Sequence, residues 1–231
     1  MNHKFYDNNK ILKPWGEEHV ILRNGNNLCI TLLKIKKNFS TSLHCHPKKK
    51  TGFILLQGNA DIQLGLYKNN IEKFKSPSKL MIRTGLFHSI TSKTYPYLIA
   101  LEFETPVEKN DLVRFDDKYG RELRNYEGRK NSVKLTKDDI KIKKPIKNGC
   151  IIFKSKTVTA SLLCIKNLKT IQQFSKNDIF ATLSGKLCDK FNRNILVQGD
   201  IIKTGTLIKL SEKFKVRKKL IFLKVSKNIS K

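Results

Sequence analysis

The chain has 231 residues and a net charge of +28, from 47 Lys and Arg against 19 Asp and Glu, and 39% of its residues are hydrophobic. Apolar residues spread over the whole length exclude a disordered chain and suit one large domain or two small ones, and no apolar run approaches the roughly 18 residues of a transmembrane helix. The excess charge is almost all lysine, evenly spread, with no zinc finger, basic helix or RNA-binding aromatic motif, so it predicts anionic small-molecule ligands and no specific nucleic-acid partner.

The opening stretch MNHKFYDNNKILKPWG lacks the apolar region of a signal peptide. Five scattered cysteines (Cys29, Cys45, Cys150, Cys164, Cys188) form no CxxC pair and read as reduced thiols. A cytoplasmic protein without membrane insertion is the expectation. Strand signals follow at 18–24, 28–35, 52–58, 60–67, 79–85 and 97–104. Turn residues punctuate them: NGNN at 24–27, KNN at 68–70, SPS at 76–78. Many short strands at this spacing predict an all-β barrel or sandwich.

Residues 122–148 are polar and charge-rich and read as a linker with one short helix between a domain at 1–121 and another at 149–231. Strands resume at 150–154, 157–165, 178–185, 195–205 and 220–226. The second block repeats the first. GFILLQG (52–58) aligns with IFATLSG (179–185), RTGLFHSITS (83–92) with KTGTLIKLSE (203–212), and LIALEFE (98–104) with LIFLKVS (220–226). In that alignment His44, His46 and His88 meet Ile171, Gln173 and Ile208. The copy at 149–231 therefore has the scaffold without the histidines.

His44 and His46 stand two apart, so on a strand they share one face, while Cys45 between them points the other way as a core thiol. His88 follows the turn TGLF and begins another strand. Three imidazoles converging from neighbouring strands suit a divalent Zn, Fe, Mn or Ni ion. The alternatives are a metal-free base and plain packing. His3 and His19 read as surface or packing residues.

An HxH, a glycine closing a strand (Gly58) and a GxxH (Gly85 to His88) in this order resemble the cupin superfamily. The glutamate that usually follows the HxH is Thr51 here, preceded by Lys48, Lys49 and Lys50. KPWGEEHVI (13–21) and DLVRFDDKYGR (111–121) resemble the opening and close of the cupin domain of type II phosphomannose isomerases. The resemblance covers about residues 11–124 and implies double-stranded β-helix (jelly-roll) barrels, two in tandem. It further implies a metal-dependent aldose–ketose isomerase acting on a mannose-6-phosphate-like anionic sugar, in surface-polysaccharide precursor synthesis. No nucleotidyl transfer is expected of this chain.

Isomerisation needs a base, a group to stabilise the enediolate and a cationic clamp. Under this resemblance Glu102 or Glu104 supplies the base, unless both face solvent. Arg121 grips phosphate or enediolate, unless it pairs with Asp116 or Asp117. Lys50 and Thr51 contact substrate, and Trp15 forms a pocket wall or packs in the core. Two other functions fit the same residues: a metal-free ketoisomerase or epimerase on a nucleotide-linked sugar, and a non-catalytic sugar-binding or regulatory cupin. The site-less second block also suits a dimerising module, hence a homodimer.

Overall fold

The alternating apolar residues of the first half form antiparallel strands. In the computed structural model, which describes residues 3–122, 129–217 and 219–228, the chain divides into two units, residues 1–141 and 142–231. In the first, α1 (His3–Asn8) leads into β1 (Asn9–Lys13), β2 (Gly16–Asn24), β3 (Leu28–Lys36), β4 (Leu43–Cys45), β5 (Lys50–Gln57) and β6 (Asn59–Leu64). β7 (Ile71–Lys75), β8 (Ser78–Ile82), β9 (His88–Ser92), β10 (Tyr97–Thr105), β11 (Val113–Asp116) and β12 (Ser132–Lys134) follow. They make a seven-stranded sheet of order β12-β1-β2-β3-β10-β5-β8 and a five-stranded sheet of order β11-β4-β9-β6-β7.

The two sheets share one core. Leu33, Ile35, Phe53, Leu55, Leu98 and Ala100 from the larger sheet pack with Ala60, Ile62 and Ile90 from the smaller, and Trp15 closes the cluster. β10 is central, pairing with β3 on one side and β5 on the other. Leu98 and Ala100 belong to its inward face, and the period of two continues that face through Glu102 and Glu104. The interior thus switches from apolar to charged along a single strand. Burying carboxylates is costly unless they are paired, so this end of the barrel is built for something other than packing.

In the second unit β13 (Ile151–Lys154), β14 (Val158–Ile165), a 3-10 turn (Leu168–Gln173) and β15 (Ile179–Ser184) come first. β16 (Leu187–Cys188), β17 (Asn194–Leu196), β18 (Ile201–Lys203), α2 (Thr204–Lys213), β19 (Lys215–Val216) and β20 (Leu220–Lys227) complete it. Its larger sheet has the order β13-β14-β20-β15-β18, which is the order β2-β3-β10-β5-β8 with the equivalent strands substituted. Gly58 after β5 and Gly185 after β15 both sit at positive φ, +93° and +84°. A Cβ at Gly185 would lie 2.5 Å from the Lys219 carbonyl oxygen, and one at Gly58 2.7 Å from Thr94 Oγ1. The two units therefore correspond in the strand order of their larger sheets and in one tight turn each.

The second small sheet departs from the expected barrel. It has three short strands, β17-β16-β19, and helical segments stand where β4 and the start of β9 lie in the first unit. Residues 203–212, aligned with the third-histidine strand, are mostly α2, because Thr204, Leu207, Ile208 and Ser211 follow a helical spacing and place Thr204 and Leu207 in the interior. Ile171, matched to His44, lies on the 3-10 turn, capped by Asn167 and fully buried. The strand expected at 195–205 is instead β17 and β18 with a turn between them, running into the start of α2. Part of the expected linker is structured: β12 adds to the edge of β1. Residues 123–128 of that linker lie outside the described residues.

Candidate metal centre

Strand register brings the histidines together. His44 on β4 stands directly opposite His88 on β9, and Arg114 on β11 stands opposite His44 from the other side. His46 lies just past β4, on the same face as His44. The ligand nitrogens of His44, His46 and His88 all lie within 4.8 Å of one another, and the ring centroids are 4.5–5.4 Å apart. Cys45, between the first two, is buried on the opposite face, as expected.

Each ring is oriented by its second nitrogen. Nδ1 of His44 donates to the Ser42 carbonyl (2.8 Å), that of His46 to the Asp111 carbonyl (2.5 Å), and that of His88 to the Leu86 carbonyl (3.0 Å). Backbone acceptors at Nδ1 leave the Nε2 lone pair free. Nε2 of His46 and of His88 is buried with no hydrogen-bond partner. Two orphaned imidazole nitrogens facing a third ring suit a divalent ion, with open positions for substrate oxygens. Among the described residues no carboxylate joins the cluster.

The usual glutamate position, Thr51, is fully buried on β5 opposite Glu104, and its hydroxyl has no partner. Neither it nor Lys50 lines the cavity, whereas Lys49 does. Lys49 is turned inward to Glu104, and Lys50 is only partly buried. The expected solvent-facing alternative for Glu102 and Glu104 fails, since both line the cavity. Trp15 combines its two readings, packing in the core and lining the cavity. Arg121 lines the cavity too, but its guanidinium is gripped by Asp117 through Nε (2.8 Å) and Nη2 (2.6 Å) and lies over the Tyr119 ring. His19 is a buried packing residue bonded to the Ile140 carbonyl.

The cavity itself measures about 70 Å³. Opposite the histidines, Glu104 is bound on one oxygen by Lys49 and on the other by Lys109 at 2.7 Å. Burial opposes ionisation of Glu104, but the two ammonium groups outweigh it and hold the carboxyl far below its usual range. Glu102 moves the other way: burial and the neighbouring Glu104 charge push it up to about 7. Lys13 and Glu18 form a further pair at 3.5 Å on the cavity wall. Lys13, Lys49, Lys109, Arg114 and Arg121 outnumber the lining carboxylates Glu18, Glu102 and Glu104.

Lys109, Arg114, Glu18 and Asp111 escaped the sequence reading as site residues. The signal was in the quoted DLVR stretch. Asp111 fastens His46 through its carbonyl and accepts the Lys48 and Lys49 N–H groups with its carboxylate.

Burial, with the neighbouring charges adding to it, lowers the histidine pKa values, to about 4 for His88 and about 3 for His46. In metal-stripped protein the unfolded chain therefore binds protons that the folded one refuses. Stability is present above pH 6.5 and is lost as pH falls from there toward 4 and 3. His88 alone contributes roughly 3 kcal/mol to that loss. Chemical denaturation of the stripped protein at successive pH values measures it, and a His88→Gln variant flattens the curve.

Residues 2–117 match the family described as mannose-6-phosphate isomerase C-terminal. No curated protein matches. Among solved structures, a double-stranded β-helix protein from Klebsiella pneumoniae is 15% identical with a TM-score of 0.38, over 43% of this chain and 79% of that one. A putative sugar phosphate isomerase from Acidithiobacillus ferrooxidans is 17% identical with a TM-score of 0.32, over 35% and 51%. The capsular polysaccharide assembling protein CapF from Staphylococcus aureus is 14% identical with a TM-score of 0.41, over 47% and 34%. The match thus spans about half of the second of these chains and a third of the last.

Proposed function

Because the chain belongs to the mannose-6-phosphate isomerase C-terminal family, with a cupin fold, we propose that its first unit is a metal-dependent aldose–ketose isomerase acting on an anionic sugar such as a sugar phosphate. The observation that carries this reading is the convergence, in one cavity, of three imidazoles, two of them (His46 and His88) with buried unpartnered Nε2 atoms, with a carboxyl poised to exchange protons. Service to surface-polysaccharide precursors is part of the proposal and rests on the sequence resemblance.

His44, His46 and His88 would hold the ion, which supplies Lewis-acid polarisation of substrate oxygens. Glu102, ionised, takes the proton from C2 of the aldose and returns it to C1 of the enediol; its raised pKa suits both directions near neutral pH. The proton on the C2 hydroxyl passes to O1 in the same exchange, so the reaction is redox-neutral within the sugar. Lys49 and Lys109 hold Glu104 as a carboxylate and leave one positive charge in excess beside the developing enediolate. Arg114 and Arg121 lie at the same cavity and add to the field that draws an anion in. Trp15 and Phe53 form apolar wall.

The test is a screen of aldose and ketose phosphates with and without a chelator. Interconversion that stops on chelation and returns with a divalent ion is expected. Interconversion indifferent to chelation would assign the chemistry to imidazole bases instead, and no turnover of any sugar phosphate would remove the isomerase reading.

A further inference from the structure

The second unit has lost the histidines, yet it carries most of the charge. Of residues 142–231, 21 are Lys or Arg and 4 are Asp or Glu. Three of those four acids are used inside the fold. Asp178 is buried with Lys224 Nζ at 3.8 Å, Asp189 holds Arg193 Nε at 2.6 Å, and Asp200 accepts the Val197 N–H at 2.7 Å. Most of the described lysines of this unit are exposed.

One feature of this unit is apolar where it should be polar. The turn joining β16 to β17 is firmly built: the Asp189 carboxylate accepts the N–H groups of Phe191 and Arg193, each at 2.9 Å, and Asn192 takes a left-handed φ of 65°. It holds Phe191 out at 65% exposure. Lys190 Nζ lies 4.9 Å and the Arg193 guanidinium 5.3 Å from the ring centroid, and Ile195 is exposed on the same hairpin.

We propose that this hairpin and the surrounding lysines dock the second unit on the surface of an anionic lipid bilayer. Phe191 and Ile195 enter the boundary between headgroups and acyl chains, and the cations meet lipid phosphates. Nucleic acid fits less well. Only Arg193 and Arg217 of the basic residues are the type that grips phosphate bidentately, and Phe191 is the one exposed large aromatic among the described residues of this unit, where base stacking uses a series. The docking is peripheral, since no helix among the described residues is long and apolar enough to cross a membrane. It stands independently of the isomerase reading.

The experiment is co-sedimentation of the full chain with vesicles of phosphatidylcholine alone or mixed with phosphatidylglycerol, at low and high salt. Binding to the anionic vesicles only, reversed by salt, is expected. Lys190→Ala weakens it about five-fold and Phe191→Ala about ten-fold, while Tyr67→Ala, at a still more exposed aromatic of the first unit, leaves it unchanged. No binding, equal binding to neutral vesicles, or equal loss from Tyr67→Ala would overturn the proposal. So would binding of a single-stranded DNA oligonucleotide that loses as much from Phe191→Ala as vesicle binding does.

Discussion

Replacing Glu104 with glutamine destabilises the protein by about 3–5 kcal/mol, the cost of leaving buried charges without their partner. Glu104 is 3% exposed and holds two ammonium groups, Lys49 and Lys109, that are themselves buried. Glutamine keeps the shape and one acceptor but no charge, so both cations remain in a low-dielectric interior. Denaturant unfolding reads the loss. The sign with pH follows from the depressed pKa of Glu104: its contribution is fully present above the ordinary carboxylate range and is lost progressively as pH falls below that range toward the depressed native value. A second consequence distinguishes this cluster from a merely structural one. With Glu104 neutral, Glu102 loses a like charge and gains two unshared cations, so its pKa falls. Converting Lys49, Glu104 and Lys109 together to apolar residues of similar volume restores stability, as buried ion clusters commonly allow, and abolishes turnover.

Glu102→Gln lowers kcat by about 10²–10⁴-fold, the usual contribution of a positioned base, with little change in stability. Burial and Glu104 raise the pKa of Glu102 to about 7, so kcat/KM in the parent rises with pH through an acid limb near that value. The limb is the deprotonation of the base, and it disappears in the glutamine variant. A pH–rate profile of both proteins measures it. An unchanged limb in Glu102→Gln would place the titrating group elsewhere.

Much of this was legible in the residues. The HxH at His44 and His46 shares a face by strand period alone, and the repeat exposed His88 as the third member through its loss from the other copy. What stayed hidden depended on two things that periodicity does not carry. The first is which end of a strand face is cavity: Leu98, Ala100, Glu102 and Glu104 alternate identically, and only the packing of both sheets shows that the last two face the cavity. The second is partnership between distant segments. Lys109 meets Glu104 across a turn, and Asp111 fastens His46 across 65 residues. The helix at 204–213 was missed because its paired Thr-Gly resembled the turn before His88, while its own i, i+3, i+4 spacing was the better guide.

The proposed chemistry requires the three imidazoles to hold one ion. Elemental analysis of protein prepared without a metal-affinity tag tests this directly. One divalent transition-metal ion per chain is expected, falling to none in His88→Ala while the circular dichroism of the β fold is retained. A chain that takes up no Zn, Fe, Mn or Ni, even when each is supplied in excess, would contradict it.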